Sequence, residues 1–204
     1  MAESVILHFG IGWRTYKAHA GVFIISMLTL LAAWIVLEIA VITLQNLGLV
    51  VWLILHLAFF FFFAGLMVGF HRLTLRAVEG KAPELSTLTG SLNRGPTFLL
   101  AATIYFMAVV CGFVVLIVPG IYIAVRYALF GHVVANTSTT AVECLKYAAT
   151  LSRNRWWSFF GFVSLALFLN LAGAALLGVG FFLTFPVSLL AGSNFYRSLP
   201  QQAS

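Results

Sequence analysis

Apolar residues occur in long blocks along this chain, and short polar segments separate the blocks. Six blocks can be marked, at residues roughly 20–45, 48–70, 97–117, 119–135, 157–174 and 176–196. A helix of about twenty apolar residues crosses the roughly 30 Å of a bilayer's hydrocarbon core. The ten-residue alternating segments of a membrane β-barrel do not occur in the sequence. The pattern therefore predicts an all-α, polytopic membrane protein with six transmembrane helices.

The connections between the blocks differ in charge. Those after the first, third and fifth blocks read "QNLG", "VPG" and "LAGAALLG" and carry no charge. Ten of the eleven basic residues lie outside these connections and outside the blocks: Arg14, Lys17, Arg72, Arg76, Lys81, Arg94, Lys146, Arg153, Arg155 and Arg197. Basic residues mark the cytoplasmic side of a membrane protein. We therefore expect three helical hairpins with the N- and C-termini in the cytoplasm.

Each hairpin is preceded by a short segment with helical periodicity. In "ESVILHFGIGWRTYK" the residues that recur on one face are Ile6, Phe9, Trp13 and Tyr16. In "PELSTLTGSLNRG" they are Leu85, Leu88 and Leu92, and Pro83 stands where a first helical residue tolerates proline. We interpret both segments as amphipathic helices that lie on the cytoplasmic surface of the membrane.

The third such segment is "TAVECLKYAATLSRNRWW", and it has the clearest helix signals. Thr140 and Glu143 have the spacing of a capping box. One predicted face consists of Ala141, Cys144, Leu145, Ala148 and Leu151, and the opposite one of Glu143, Lys146, Thr150 and Arg153. The residues expected to anchor the three segments at the membrane interface are Trp13, Arg14, Lys17, Arg94, Arg153, Arg155, Trp156 and Trp157.

The shared order of surface helix, basic exit and apolar span indicates a threefold repeat. Its units would be residues 3–80, 81–136 and 137–204 of a single integral membrane domain, 1–204. The alternative is that any three cytoplasmic connections would look alike. The net charge of +6 is explained by topology, and because the basic residues are scattered, no nucleic-acid partner is expected. Cys111 and Cys144 are predicted to be free thiols, since one lies in a span and the other in a polar connection.

Four stretches resemble a known family: "GWRTYKAHAGVFI", "VPGIYIAVRYAL", "TAVECLKYAATLSRNRWWSFF" and "FPVSLLAGSNFYRSL". They are similar to the bacterial glycerophosphoryl diester phosphodiesterase membrane-domain-like proteins and their YciC-like relatives. The resemblance implies an all-helical module of the bacterial inner membrane. In that family the phosphodiesterase chemistry belongs to a separate soluble domain, so the resemblance transfers no active site.

Polar residues inside the spans are the candidates for a site, because hydrocarbon makes each of them costly. Glu38, His56 and Arg126 are expected at a common depth of roughly 10–13 Å below the outer surface. They could line a polar site for an ion, proton or lipid headgroup, together with Tyr122, Tyr127 and Asn170. The alternative, which we favour from sequence, is that Glu38 and Arg126 neutralise each other between packed helices, with His56 as a hydrogen-bond partner.

Other residues predict packing. Gly65 and Gly69 form a GxxxG step for close helix approach within the bundle or between subunits. Pro119 and Gly120 open the fourth span, and Pro186 begins or breaks the sixth.

Catalysis is poorly supported, since the chain has no Asp, no G-x-S-x-G elbow and no P-loop. We therefore expect a non-enzymatic accessory or scaffolding protein that packs with membrane lipid and with other membrane proteins or a second copy. One alternative is a small transporter or lipid-handling protein with its site at Glu38, His56 and Arg126. Another is a pigment- or cofactor-binding subunit that uses His56 or His132, although no metal or cofactor is required by the sequence. His71 is expected to be solvated at an interface.

Overall fold

The computed structural model describes residues 2–44, 48–176 and 180–200, and this part of the chain is helical without any strand. The α-helices, in chain order, are α1 Ala2–Ala18, α2 Ala20–Leu44, α3 Leu49–Val78, α4 Ser86–Thr89, α5 Gly95–Val115, α6 Ile117–Arg126, α7 Phe130–Asn136, α8 Ala141–Ser152, α9 Trp156–Ala175 and α10 Phe181–Ser198. A 3-10 turn, Leu92–Arg94, leads from α4 into α5. The predicted all-α class is confirmed.

Five helical segments are long enough and apolar enough to cross a membrane. They are Ala20–Leu44, Leu49–Val78, Ser86–Val115, Ile117–Asn136 and Trp156–Ala175. Helix α10 is not among them, because its polar residues, which include Ser188, Ser193, Asn194 and Arg197, lower its mean hydropathy. The sixth crossing therefore stays a prediction, and part of the connection before it, residues 177–179, lies outside the described residues.

Two of the predicted spans have different boundaries in the structure. Helix α3 continues to Val78, beyond the expected end at residue 70, so Arg72 and Arg76 lie on its last turns and not in a loop. The fourth span is divided into α6 and α7 by a turn at residues 127–129. The α-helical hydrogen-bond pattern stops at the end of α6. The amide of Tyr127 still donates to the carbonyl of Ile123, four residues earlier, whereas the amide of Ala128 donates to the carbonyl of Val125, three residues earlier.

Helix α8 agrees with its predicted capping and amphipathicity. The hydroxyl of Thr140 accepts from the amide of Glu143, and the Glu143 carboxylate accepts from the Thr140 amide, which completes the capping box. All five residues of the predicted apolar face are buried, and all four of the polar set are exposed. The free thiols are also confirmed, with Cys111 exposed and Cys144 on the buried face of α8.

The other two predicted surface helices differ from expectation. In α1, Phe9 and Tyr16 are buried, but Ile6 is 64% and Trp13 40% exposed, so these four residues do not share one packed face. The reason is that α1 packs along α10 on a face that contains Gly12, where an added Cβ would lie 2.9 Å from the backbone nitrogen of Ala191. The segment after Pro83 forms only the four-residue α4 and the 3-10 turn, and Pro83 precedes both. The threefold repeat stays a prediction.

The GxxxG step of α3 is used within the chain. A Cβ on Gly65 would lie 2.8 Å from the Leu92 Cα, and one on Gly69 would lie 2.2 Å from the Leu88 carbonyl oxygen. The two glycines therefore let α4 and the 3-10 turn lie directly against α3. This contact fixes the polar segment 86–91 beside the last turns of α3.

Candidate functional site

The pair predicted between Glu38 and Arg126 is not made. The ion pairs of the described residues are Arg76–Glu84, Lys81–Glu79 and Arg197–Glu79. Glu38 is exposed on α2, which packs on α3, whereas α6 with Arg126 packs on α5, α8 and α9. The prediction is wrong because equal distance from a helix end does not bring two helices into contact.

Arg126 is instead held by its own helix. Its guanidinium donates to the hydroxyl of Tyr122 and lies 5.5 Å from the centre of that ring. The Tyr122 ring stacks on Trp156, the first residue of α9, at 5.0 Å between ring centres. Arg126 is thus beside a residue expected at the membrane interface, which explains how a guanidinium is accommodated in this segment.

The remaining residues of the predicted polar layer are also separate. His56 bonds through Nδ1 to the Trp52 carbonyl, 2.9 Å away in the same helix. Asn170 donates to the hydroxyl of Ser188 at 2.9 Å and so joins α9 to α10. Tyr127 lines an apolar cavity of about 270 Å³ between α5, α6 and α8. The structure therefore does not assemble these residues into one site.

Two histidines meet in the core. The rings of His71 and His132 are 4.8 Å apart between centres, and both residues are buried. His71 was expected to be solvated at an interface, and that prediction is wrong because α7 packs against its ring. His71 bonds to the Met67 carbonyl and His132 to that of Leu189. Nowhere in residues 2–44, 48–176 and 180–200 do three metal-binding side chains of the His, Cys, Asp and Glu types come together.

A polar cavity lies where the ends of α3 and α10 meet α4. It encloses about 580 Å³. Its walls are Arg72, Leu75, Arg76, Glu79, Lys81, Ser86, Thr87, Gly90, Ser91, Ala135, Asn136 and Arg197. We call it the basic cavity, because four basic side chains line it and Glu79 is the one carboxylate among these residues.

Helix α3 supplies one wall of the basic cavity. Arg72, Arg76 and Glu79 follow each other at i, i+4 and i+7, so they share one helix face. Arg197 comes from the last turn of α10, and Lys81 from the connection after α3. Residues distant in sequence thus converge on this cavity through the packing of α10 and α4 on α3.

Two arginines are engaged in holding α7. The Arg72 Nε donates to the carbonyl of Ala135 at 2.9 Å, and another nitrogen of the same guanidinium donates to the Ser91 hydroxyl at 2.9 Å. Arg94 donates to the carbonyl of Thr137, just beyond α7. Both interactions supply hydrogen bonds to carbonyl groups at the C-terminal end of α7, where the helix dipole favours a cation. Arg72 therefore fixes one wall of the cavity, while much of its donor capacity is used.

Two other basic side chains of the cavity, Arg76 and Lys81, make fewer hydrogen bonds than Arg72 does. Glu79 bridges Lys81, at 2.7 Å, and Arg197. Arg76 is 3.7 Å from Glu84, outside the lining, and its Nε has no hydrogen-bond partner. The hydroxyl of Thr87 also lacks one. The cavity thus combines excess positive charge with donors whose hydrogen-bonding capacity is not used, an arrangement suited to an anion with several oxygen atoms.

Comparison with protein-family models, with curated proteins and with solved structures gives no match for this chain. The resemblance to the membrane-domain-like family accordingly stays a prediction. The basic cavity was missed from sequence because its arginines and lysine were interpreted individually as topology signals. The available signal was the spacing of Arg72, Arg76 and Glu79 on one helical face.

Proposed function

We propose that this chain is a non-enzymatic integral membrane protein that packs with lipid and binds the phosphate group of an anionic membrane lipid in the basic cavity. The observation that carries the proposal is the convergence of Arg72, Arg76, Lys81 and Arg197 on one cavity of about 580 Å³. The proposal retains the lipid-handling function that the sequence analysis gave as an alternative. It places the lipid site in the basic cavity instead of at Glu38, His56 and Arg126.

A phosphate is the group that fits this donor set. Guanidinium groups bind phosphate oxygens in pairs of hydrogen bonds, and an ammonium adds a point charge. Ser86 and Thr87, which carry hydroxyl groups, also line the cavity. Basic pockets between membrane helices on the cytoplasmic side are the known setting for anionic headgroups.

The location favours a lipid as the source of the phosphate. The cavity lies at the C-terminal end of α3, a 30-residue helix whose first half, residues 49–63, is apolar and mostly exposed, as a lipid-facing surface would be. A headgroup in the cavity would leave its acyl chains beside that apolar surface. We further propose that this end of the bundle faces the cytoplasm of a bacterial inner membrane, since the basic residues concentrate there.

The proposal is tested by native mass spectrometry of the purified chain in a neutral detergent. Phosphatidylglycerol should bind, and the Arg76→Gln/Arg197→Gln variant should bind it at least roughly tenfold more weakly, because two charge-assisted contacts are lost. Phosphatidylcholine, which is zwitterionic, should bind weakly to both proteins. Arg72 is left intact because it holds α7.

The matched control is Lys146→Gln/Arg153→Gln, which removes the same charge from the exposed face of α8. It should bind phosphatidylglycerol as the original chain does. Equal weakening by both double variants would mean that charge acts only through long-range attraction, and the proposal would be wrong. If inorganic phosphate at millimolar concentration displaces phosphatidylglycerol, the cavity recognises the phosphate group of the lipid. If inorganic phosphate binds to the chain and phosphatidylglycerol does not, the ligand is a soluble phosphate and the lipid proposal is wrong.

A further inference from the structure

The outer half of the α2–α3 hairpin carries a polar group that the fold leaves uncovered. Glu38 is exposed in the second half of the apolar helix α2, and no ion pair or side-chain hydrogen bond among the described residues involves it. A carboxyl group in this setting is costly unless another protein group pairs with it. Its surroundings therefore indicate where a partner packs.

The packing of the hairpin places His56 at the level of Glu38. The Trp34 ring lies 5.9 Å from that of Phe59 and 6.4 Å from that of Phe63, which fixes the register of the two antiparallel helices. One turn beyond Trp34 in α2 is Glu38, and one turn before Phe59 in α3 is His56. The two polar residues are thus level with each other along the hairpin.

Glu38 and His56 also share one side of the hairpin. Trp34 and Glu38 are one turn apart on α2, and His56, Phe59 and Phe63 follow one face of α3. Phe59 is buried between the two helices and also reaches the opposite side of the hairpin. That side is an apolar groove of about 520 Å³ whose other walls include Ala33, Val36 and Phe62. The side with Glu38 and His56 is therefore the polar one.

His56 has an unused hydrogen-bonding position. Its Nδ1 bonds to the carbonyl of Trp52, and its ring packs on the Trp52 ring at 4.0 Å between centres. With Nδ1 as the donor, Nε2 of the imidazole can share one proton with a carboxyl group. A Glu38–His56 pair that shares a proton needs no counter-ion from elsewhere.

We propose that two copies of this chain form a symmetric dimer through this side of the α2–α3 hairpin, with Glu38 of each copy bonded to His56 of the other. Copies inserted in the same orientation are related by a two-fold axis along the membrane normal, so only residues at equal depth can meet. Glu38 and His56 satisfy that condition, and the symmetry forms the pair twice. This inference is independent of the basic cavity.

The experiment measures dimerisation of donor- and acceptor-labelled copies by energy transfer in bilayers of phosphatidylcholine and phosphatidylglycerol. Glu38→Leu and His56→Leu should each raise the dimer dissociation constant at least roughly tenfold, since both symmetric pairs are lost. The exchanged variant Glu38→His/His56→Glu restores the pairs and should recover most of the lost affinity. The control Glu84→Gln, an exposed carboxyl group outside the hairpin, should leave dimerisation unchanged.

Three results would overturn the dimer: a monomeric original chain, unchanged dimerisation of Glu38→Leu, or single variants that weaken the dimer without recovery by the exchange. If the exchanged chain does not fold, differently tagged Glu38→Cys and His56→Cys copies in a Cys111→Ser/Cys144→Ser background are mixed and oxidised instead. A disulfide between the two kinds of copy supports the proposal. Its absence, or equal cross-linking within each kind, contradicts it.

Discussion

At the scale of single residues, Gly69 has the least room for a side chain among the glycines of the described residues. A Cβ there would lie 2.2 Å from the Leu88 carbonyl oxygen and 2.6 Å from its Cα, and backbone cannot swing aside as a side-chain end can. Gly69→Ala should therefore destabilise the chain by about 1–3 kcal/mol, the usual cost of overpacking. It should also weaken binding of phosphatidylglycerol, because α4 carries one wall of the basic cavity.

The control for this substitution is Gly21→Ala in α2, where a Cβ would meet nothing within 4 Å. Alanine is the better helix former, so the change should be neutral or stabilising. Thermal unfolding in detergent compares the two variants. Equal unfolding temperatures would show that α4 does not pack on Gly69 as described.

The capping box of α8 gives a second prediction for single residues. Thr140→Ala should cost about 1 kcal/mol of stability, the typical value for a lost N-cap. Thr140→Ser keeps the hydroxyl group and should therefore retain most of the stability that the cap provides. Urea titrations of the two variants at neutral pH provide the measurement, and equal loss in both would exclude the cap as the cause.

The same cap predicts a pH dependence. Hydrogen bonds from the Thr140 amide, and then from its hydroxyl, lower the pKa of Glu143 from its ordinary 4.5. A lowered pKa in the folded state means that the stabilisation is complete above the ordinary pKa and is lost as the pH falls through the lowered one. Below pH 4.5, the Glu143→Gln variant should therefore approach the original chain in stability. A difference that stays constant down to pH 2 would contradict this.

At this scale the sequence was informative where the interaction is local. The Thr140 and Glu143 cap and the face of Ala141 to Leu151 depend on residues within three turns of one helix, and both were predicted correctly. The Glu38 and Arg126 pair was inferred from depth alone, and the structure separates it. Depth along two helices is local information, whereas their contact depends on the packing of the whole chain.

At the scale of helices, the division of the predicted fourth span into α6 and α7 has a structural role. The turn at 127–129 lets α7 run against α3 and α8, and its C-terminal carbonyls are then met by Arg72 and Arg94. No Gly or Pro marks this turn in the sequence, so the run of apolar residues looked continuous. The break is imposed by tertiary contacts.

The arginines predict how α7 is stabilised. Arg94→Gln removes the charge that faces the carbonyls of Val134, Thr137 and Thr139, and Nε of Arg94 is buried in the same region. Amide hydrogen exchange in residues 130–137 should accelerate at least roughly tenfold, as expected for the loss of a hydrogen bond to a charged group. Arg153→Gln, at the exposed end of α8, should leave these amides unchanged. Equal acceleration in both would indicate a general effect of charge.

At the scale of the whole molecule, the charged connections meet at one end. Arg197, at the end of α10, bonds to Glu79 at the end of α3 and to Asn136 at the end of α7. The sequence placed these residues on one side of the membrane from their charge, and it placed hydrophobic spans between them. It could not show that they contact each other, because the contacts join residues about sixty and more than one hundred positions apart.

The meeting of α3 and α10 predicts the membrane sidedness of both. Helix α3 is about 45 Å long at 1.5 Å per residue, so its two ends should lie on opposite sides of a bilayer. In a Cys111→Ser/Cys144→Ser chain expressed in bacteria, an impermeant maleimide added to intact spheroplasts should label Leu49→Cys but not Ala82→Cys. Permeabilised spheroplasts should give labelling at both positions.

Pro200→Cys then distinguishes six crossings from five. Because Arg197 contacts Glu79, a cysteine at 200 should behave as Ala82→Cys does, protected in intact spheroplasts and labelled after permeabilisation. An even number of crossings between residues 82 and 200 requires α10 to cross, although its composition is less apolar than that of the five other segments. Labelling of Pro200→Cys from outside would place the ends of α3 and α10 on opposite sides, and both the basic cavity and its contact between Arg197 and Glu79 would then be excluded.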